Sequence, residues 1–204
     1  MKFRLLIVCA FLLLGASAYS QEGEVAKLES ATKDALDVLY GSKCKDCTPE
    51  EKAAQVRSIL ERDYDLMVII RRTMGRNWDL LSPAEQVQVK ELVTQLIVNS
   101  FVSEIQGLER PKVEYGSLVM ITDKRFEIPS KITFPNGKVF NVVYRFGRLK
   151  TGWQIYDIVA EGVSVVANYR QQIDDHFRTG DGAGLIDKLK KLLEEENLDE
   201  SVKQ

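Results

Sequence analysis

Cys44 and Cys47 are the residues whose type and spacing most directly suggest chemistry, because only two residues separate them. A thioredoxin-type redox motif has this spacing but follows a strand, whereas this pair lies between two predicted helices. A zinc site needs about four ligands, and after residue 18 the chain offers these two cysteines and His176. We therefore predict no metal site and a local disulfide in an oxidising compartment, with its role left open.

The other candidate reactive side chains lack the partners that catalysis requires. The acids nearest to His176 are its immediate neighbours along a predicted helix and cannot face it. Ser164 follows Gly162 but lacks the second glycine of a nucleophile elbow, so we expect it to cap a helix. Asp157 lies in an otherwise apolar strand and needs a partner, for which Arg170 is the candidate. We predict no catalytic residue and no enzymatic activity.

The elements that position these residues begin with a helical half. Apolar residues recur at helical spacing over residues 22–39, and residues 66–70 extend the helical half further along. Thr48 is followed by proline and two glutamates, which predicts a helix start with a capping box. Ser82 repeats this signal before a long amphipathic pattern. The first half of the chain is therefore predicted to be helical.

From Lys112 the apolar period changes to two, which predicts strands. A Pro-Asn-Gly sequence at residues 135–137 separates two apolar runs and predicts a hairpin. After the hairpin, four apolar residues alternate with positions that include Asn141 and Arg145, so this strand is expected to have one apolar face and one solvent-exposed face. The apolar residues that can point into the space between sheet and helices are Phe140, Val142, Tyr144, Phe146, Ile155, Ile158, Val163 and Val166. Ordinary core explains most of them, and the residues alone favour core over cavity.

The stretch 152–160 is rich in β-branched and aromatic residues and predicts a further strand. At Glu161-Gly162 the pattern becomes helical, with Val163, Val166 and Ala167 at helical spacing. Two helices near residues 164–177 and 183–195 close the chain. Helices first, about four antiparallel strands second and helices last predict an α+β domain with helices on one face of the sheet.

Residues 1–18 have the pattern of a secretory signal peptide. Lys2 and Arg4 precede an apolar run, and small residues up to Ala18 form a cleavage site. The run is shorter than the roughly 20 residues that a membrane span needs. We predict cleavage near Ala18, export, and a single domain over residues 19–204.

The charge balance excludes one class of partner. Without Lys2 and Arg4, 26 basic side chains face 30 acidic ones, a net charge of −4. No basic run stands out, so nucleic acid is not an expected partner. The acidic balance also argues against simple electrostatic adhesion to anionic lipid surfaces.

Four groups of motifs follow one another along most of the chain. They are Tyr64-Asp65 with Thr73-Met74-Gly75, Trp78, Leu81-Ser82 and Gln86; Val143-Tyr144-Arg145-Phe146; Trp153 and Ile155-Tyr156-Asp157-Ile158 with Glu161-Gly162-Val163-Ser164-Val165 and Asn168-Tyr169-Arg170; and Gly184-Leu185-Ile186. Together they resemble the signature of the MlaC family. Members of that family are periplasmic phospholipid-binding proteins, also called toluene-tolerance auxiliary proteins.

This resemblance implies an NTF2-like α+β fold in which N-terminal and C-terminal helices and a curved antiparallel sheet enclose an apolar cavity. It also implies a function without cofactors, namely to carry a bound phospholipid through the periplasm. The expected partners are an outer-membrane lipoprotein–porin complex of the MlaA type and an inner-membrane ABC transporter with an MCE domain of the MlaD type. Transport between them would maintain the lipid asymmetry of the outer membrane.

The resemblance and the apolar pattern together assign two sets of residues. We predict that the lipid is bound by Leu96, Phe101, Phe140, Val142, Tyr144, Phe146, Ile155, Ile158 and Val166. The signature residues are expected to hold the strand-to-helix connection together, and they are Trp153, Tyr156, Asp157, Gly162, Ser164, Asn168, Tyr169 and Arg170.

Two alternatives stay open at this stage. One is an NTF2-like enzyme acting on an apolar small molecule, with Asp157 as its only candidate acid. The other is a lipid-free periplasmic adaptor that uses the same surface to bind a membrane complex. The motifs leave undetermined which lipid is carried, the direction of transport, the partner-contact surface and the oligomeric state.

Overall fold

The computed structural model describes residues 15–41, 44–105 and 108–202 of the chain. The first half and the end of the chain are helical, as predicted, with α1 Gly15–Tyr40, α2 Pro49–Asp63, α3 Leu66–Met74, a 3₁₀ helix Gly75–Leu80, α4 Pro83–Ile105, α5 Val165–His176 and α6 Gly182–Val202. α1 begins earlier than the predicted start at residue 22. Residues 1–14 of the predicted signal peptide lie outside the described residues. Within the described ranges, no helix is both long and apolar enough to cross a membrane.

Side-chain capping determines where α2 and α4 begin. Thr48 Oγ1 accepts a hydrogen bond from the Glu51 N–H at 3.2 Å, and the Glu51 carboxylate accepts one from the Thr48 N–H at 2.9 Å. Ser82 and Glu85 exchange the same two bonds, at 3.3 and 2.7 Å. These bonds satisfy backbone donors that the first turn of a helix leaves without intrahelical partners. Both predicted helix starts are therefore confirmed.

The described strands form one open antiparallel sheet. They are β1 Lys112–Tyr115, β2 Val119–Thr122, β3 Arg125–Thr133, β4 Val139–Leu149, β5 Gly152–Ala160 and β6 Val163–Ser164. The order is β1-β3-β4-β5-β6, and β2 also pairs with β3. β1 pairs with residues 130–133 of β3 and β2 with residues 125–127, so the two short strands lie end to end. The α+β class is confirmed, and the sheet has more strands than the four or so predicted.

Pro129 marks the break between β1 and β2. Its carbonyl accepts a hydrogen bond from the Gly116 N–H at 2.8 Å. In an antiparallel pair the N–H and C=O of one residue point to the same neighbour, so the nitrogen of Pro129 faces this edge too. Because proline has no N–H to donate, the neighbouring strand cannot continue past it. The chain therefore stops pairing with β3 after Tyr115, at the end of β1, and pairs with β3 again as β2.

The predicted hairpin between β3 and β4 is present. Phe134 donates its N–H to the Lys138 carbonyl at 2.9 Å, and Gly137 donates to the Phe134 carbonyl at 2.9 Å. Gly137 has a φ of +85°, a conformation that glycine adopts without steric cost. This turn fixes the register between β3 and β4.

The connection from β5 to α5 differs from the prediction. Glu161 and Gly162 both have left-handed backbone conformations, with φ of 49° and 82°. The short strand β6 follows, so Val163 is 58% exposed rather than on the buried side of a helix. The prediction, from apolar spacing, that the helix already includes Val163 is therefore wrong. Ser164 caps α5 as predicted, because its Oγ accepts from the Ala167 N–H at 3.0 Å.

Three clusters of buried side chains form the core. The helical cluster joins α3, the 3₁₀ helix, α4, α5 and α6, and consists of Leu66, Ile70, Met74, Trp78, Leu81, Val89, Ile173, Leu185, Ile186 and Leu189. The sheet cluster consists of Leu28, Ala31, Tyr64, Phe126, Ile128, Phe146, Trp153 and Ile155. The α1–α2–α4 cluster consists of Ala35, Val56, Val98 and Val102.

Replacing Phe146 with alanine should lower the free energy of unfolding by about 3–5 kcal/mol. The ring is fully buried and stacks on Phe126 with 4.7 Å between centroids. Phe140→Ala is the matched control on the same strand and face, and because Phe140 is 41% exposed its loss should be about 1 kcal/mol. Urea denaturation followed by circular dichroism measures both, and equal losses would contradict this difference in burial.

Candidate functional site

The candidate site is the apolar face of the sheet, which β3, β4 and β5 build together. The register places Phe126 opposite Phe146, and Tyr144 opposite both Ile128 and Ile158. Because successive side chains point to opposite faces of a sheet, these residues all lie on one side. The register shifts between Arg145 and Phe146, so that Ile155 rather than Tyr156 pairs with Phe146. This bulge keeps the apolar side chains of β5 on the same face as those of β4.

The two ends of this face differ in burial. At the closed end, Phe126 and Phe146 have no exposed surface and Trp153 has 4%. At the open end, Phe140 is 41% exposed, and Ile132 and Val142 are only half-buried. The face is therefore ordinary core at one end and uncovered apolar surface at the other.

Polar contacts hold α1 beside the first strand. The Tyr115 hydroxyl donates to Thr32 Oγ1 at 2.6 Å, and Arg110 Nη2 lies 2.7 Å from Asp37 Oδ1. From Thr32 to Asp37 along α1, the contacting residue on the sheet side moves backward in sequence, from Tyr115 to Arg110. The second half of α1 therefore runs toward the open end of the face.

Among the described side chains, the buried contacts between the helices and the apolar face lie at the closed end. Leu28 and Ala31 of α1 pack there, together with Tyr64. Further along α1, Ala35 packs against Val56 of α2 and the last turns of α4 instead. Among the described residues, the α1–α2–α4 cluster includes no residue of the sheet. Within the described part of the chain, the open end thus has no buried contact with the α1–α2–α4 cluster.

Six of the nine predicted lipid-binding residues lie on the apolar face, namely Phe140, Val142, Tyr144, Phe146, Ile155 and Ile158. Leu96 packs against the helical cluster instead. Val166 is buried at the start of α5, where its backbone N–H donates to Asp157 Oδ1 at 3.2 Å, on the other side of the sheet. The side chain of Phe101 lies outside the described residues. The prediction omitted Phe126 and Ile128, although their alternate spacing in β3 signals membership of the face.

Two polar atoms at the closed end have no hydrogen-bond partner within the described part of the chain. They are the hydroxyl of Tyr64 and Nε1 of Trp153. Burial raises the pKa of Tyr64, and the carboxyl group of Glu24 raises it further, so the hydroxyl stays protonated. A buried donor without an acceptor costs about 1–3 kcal/mol.

The opposite face of the sheet carries an ionic network centred on Asp157. Its Oδ2 lies 3.1 Å from Arg145 Nη1 and accepts from the Ser164 hydroxyl at 2.7 Å, while Oδ1 accepts from the Val166 N–H. Arg145 Nε also donates to Glu127 at 2.8 Å. Hydrogen bonds to Glu127 and then to Asp157 raise the pKa of Arg145. The network joins β3, β4 and β5 to the start of α5.

The predicted pairing of Asp157 with Arg170 is wrong. The Nε of Arg170 donates to the backbone carbonyl of Arg72 at 2.7 Å, and its Nη2 contacts the same oxygen. Arg145, one strand away in register, is the cation beside Asp157. The two arginines are almost equally far from Asp157 along the chain, and cross-strand pairing brings Arg145 beside it. Arg170 instead connects α5 to the end of α3.

The remaining signature residues have several structural roles. Trp153 lies in the sheet cluster, and Gly162 forms the left-handed turn before β6. The Tyr156 ring lies beneath the guanidinium of Arg72, 4.5 Å from its centroid. The exposed signature residues, for which the structure shows no contact with the Asp157 network, are Asn168 and Tyr169.

Cys44 and Cys47 form a disulfide between α1 and α2. Cys44 is buried, and Gln55 Nε2 lies 3.0 Å from its sulfur. The bond therefore closes a short loop beside the α1–α2–α4 cluster. Within the described ranges, no group of three or more His, Cys, Asp or Glu side chains could hold a metal ion.

His176 borders a groove of about 500 Å³ where α5 meets α6. Its Nε2 lies 2.9 Å from the Asp181 carbonyl. The groove is lined by Gln172, Asp175, His176, Thr179, Gly180 and Lys188. The groove lies away from the apolar face of the sheet, at the junction of α5 and α6.

Fold and site together define a class: α+β proteins in which helices cover part of one apolar face of an open antiparallel sheet. Within this class the chain belongs to the MlaC family, because the family model described as MlaC protein matches residues 29–191. The chain is also similar to a solved phospholipid-binding protein from Ralstonia solanacearum, in complex with a phospholipid. The TM-score is 0.67 at 22% identity, over 81% of this chain and 94% of the other. No curated protein matches the chain.

Replacing Asp157 with asparagine should lower the free energy of unfolding by about 2–3 kcal/mol. An amide does not neutralise Arg145, and its NH₂ group faces other donors. Hydrogen exchange should speed up first at the Val166 amide, since that N–H loses its acceptor. Asp187→Asn, at an exposed position of α6, should leave both measurements unchanged. A stable Asp157→Asn variant with normal exchange at Val166 would show that the network does not hold α5.

Proposed function

We propose that this protein is a periplasmic phospholipid carrier that binds acyl chains, without covalent chemistry, on the apolar face of its sheet. The observation that carries the proposal is the open end, where Ile132, Phe140 and Val142 stay partly exposed. Membership of the MlaC family and the phospholipid bound to the Ralstonia solanacearum protein support the same ligand class. In this proposal residues 19–204 act as one domain.

The energetics explain why such a carrier is needed. Burial of apolar groups is worth about 0.8 kcal/mol per methylene, so exposing two long acyl chains costs on the order of 20 kcal/mol. A phospholipid therefore does not leave a bilayer for water at a useful rate. A protein that covers the chains and leaves the headgroup accessible lowers this barrier by binding alone.

The structure suggests where the chains lie. We infer that they enter between the open end and the α1–α2–α4 cluster, so that the ligand supplies the apolar contact that the sheet and helices lack there. Tyr144 and Ile158 continue the face toward the sheet cluster, against which they pack. Phe146 and Phe126 form the floor, since both are fully buried. An NTF2-like cavity would correspond to widening of this space.

The location and partners follow from the sequence signal and the family. We infer that residues 1–18 direct export and are removed near Ala18, so that the carrier works in the periplasm. There it would exchange lipid with an outer-membrane complex of the MlaA type and an inner-membrane transporter of the MlaD type. This exchange would maintain outer-membrane lipid asymmetry.

The contacts of Asp157 weigh against the enzymatic alternative. Both of its carboxylate oxygens are engaged, by Arg145, Ser164 and the Val166 N–H. Its side chain lies on the face opposite Tyr144 and Phe146, because the register pairs Asp157 with Arg145. The only acid considered for catalysis therefore does not face the apolar site.

Native mass spectrometry of the mature chain, purified from a periplasm, tests the proposal directly. We expect a stoichiometric phospholipid in the spectrum and in the lipid extract. A lipid-free mass, with no uptake from vesicles or detergent-dispersed phospholipid, would overturn the carrier function and favour the adaptor.

Val142→Arg should abolish lipid co-purification while the protein stays folded, because it places a cation on the half-buried part of the face. Val139→Arg is the matched control. It makes the same change on the same strand, but on the opposite face and at a position that is 40% exposed, so the lipid should be retained. Lipid extraction and circular dichroism measure the two effects. Retention of lipid in Val142→Arg would place the binding site elsewhere.

A further inference from the structure

An apolar edge of the sheet remains uncovered far from the open end. β2 is an edge strand beside the first residues of β3, and Val119, Met120 and Ile121 are 48%, 43% and 53% exposed. Leu149, at the turn from β4 to β5, is 45% exposed. Contiguous exposed apolar side chains rimmed by polar residues commonly mark interaction sites. These side chains are therefore candidates for contact with a partner.

Basic side chains surround this edge. The two turns at residues 122–125 and 148–152 carry Lys124, Arg125, Arg148 and Lys150 against a single acid, Asp123. All four cations are exposed. Within the described ranges none of the four forms an ion pair, although nine other basic residues do. The positive charge here is thus available to an external anion.

Backbone pairing brings the two turns together. The Arg148 N–H donates to the Lys124 carbonyl at 3.0 Å, and Arg125 pairs with Gly147. Adjacent strands lie about 4.8 Å apart, so the cations and Leu149 share one end of the sheet with Ile121. We call this surface the apolar–basic edge, and it consists of Val119, Met120, Ile121, Lys124, Arg125, Arg148, Leu149 and Lys150.

Aromatic rings hold two of the cations in place. The guanidinium of Arg148 lies 5.7 Å from the Trp153 ring centroid, and that of Arg125 lies 5.8 Å from the Tyr156 centroid. A guanidinium stacked on a ring loses less side-chain freedom when it binds an anion. The arrangement suits an anion that approaches from the end of the sheet.

We propose that the apolar–basic edge docks the protein on an anionic phospholipid bilayer. Exposed apolar side chains ringed by Lys and Arg match a surface with negative headgroups above a hydrocarbon layer. Without residues 1–18 the chain has 26 basic and 30 acidic side chains, so this edge is opposite in sign to the protein's net charge of −4. The inference rests on the proposed carrier function for its biological purpose, but the contact itself needs no bound lipid.

Vesicle flotation with the mature chain tests the edge. We expect flotation with vesicles that contain phosphatidylglycerol, little with pure phosphatidylcholine, and loss of binding in roughly 0.5 M NaCl, because salt screens exposed charges. Each cation near an anionic surface contributes about 1 kcal/mol, so Lys124→Glu with Lys150→Glu should weaken binding at least tenfold. Met120→Ser with Ile121→Ser should also weaken it, by removing the apolar contact.

Lys138→Glu and Val139→Ser are the controls, because both positions lie at the opposite end of the same strands. They should bind vesicles as the wild type does. Binding that is absent, that is equal for neutral vesicles, or that survives the Lys124/Lys150 reversal would overturn the proposal. So would a dimer that the Met120/Ile121 change dissociates, since the edge would then bind a second copy.

Lipid extraction from the same variants separates this proposal from the carrier function. The edge variants should keep their co-purified phospholipid while failing to float. A wild-type protein that floats with vesicles but carries no lipid would support docking through the apolar–basic edge and overturn the carrier function. A wild-type protein that carries lipid but does not float would support the carrier function and overturn docking through the edge.

Discussion

The carboxylate of Asp157 is the charge around which the sheet is arranged. It is 5% exposed in the middle of β5, and a buried carboxylate is tolerated only when cations and donors surround it. Arg145, Ser164 and the Val166 N–H meet that requirement from β4, the end of β6 and the first turn of α5. Since this face must hold polar partners, the next residues along β4 and β5 turn their apolar side chains to the other face.

The apolar face is consequently uniform in chemistry but not in burial. Its closed end contributes stability in the usual way, through stacked rings and tight packing. Its open end contributes little, because a half-exposed apolar residue gains only part of its transfer free energy. A binding protein needs such a region, since residues that already pack fully against their own chain have no free energy left for a ligand.

The sequence predicted the features that local chemistry determines. Thr48 and Ser82 each satisfy helix-start donors within three residues, and the Pro-Asn-Gly turn fixes its own hairpin, so these could be located without a structure. The partner of Asp157 could not, because Arg145 becomes its neighbour only through the register of two strands. Val163 was wrongly predicted to lie in a helix, because apolar spacing does not reveal the left-handed backbone at Glu161 and Gly162. The net charge of the chain also does not reveal that Lys124, Arg148 and Lys150 lie at the same end of the sheet.

The proline in the middle of β3 gives the sheet a mechanical property. Pro129 interrupts the outer ladder, so β1 and β2 form two separate segments along one edge. Because Pro129 has no N–H to donate, β1 and β2 are held to β3 by separate sets of ladder hydrogen bonds. The β1 segment lies beside the open end, and the β2 segment beside the far turns. Displacement of one segment therefore need not displace the other, while the continuous β3–β4–β5 pairing keeps its register.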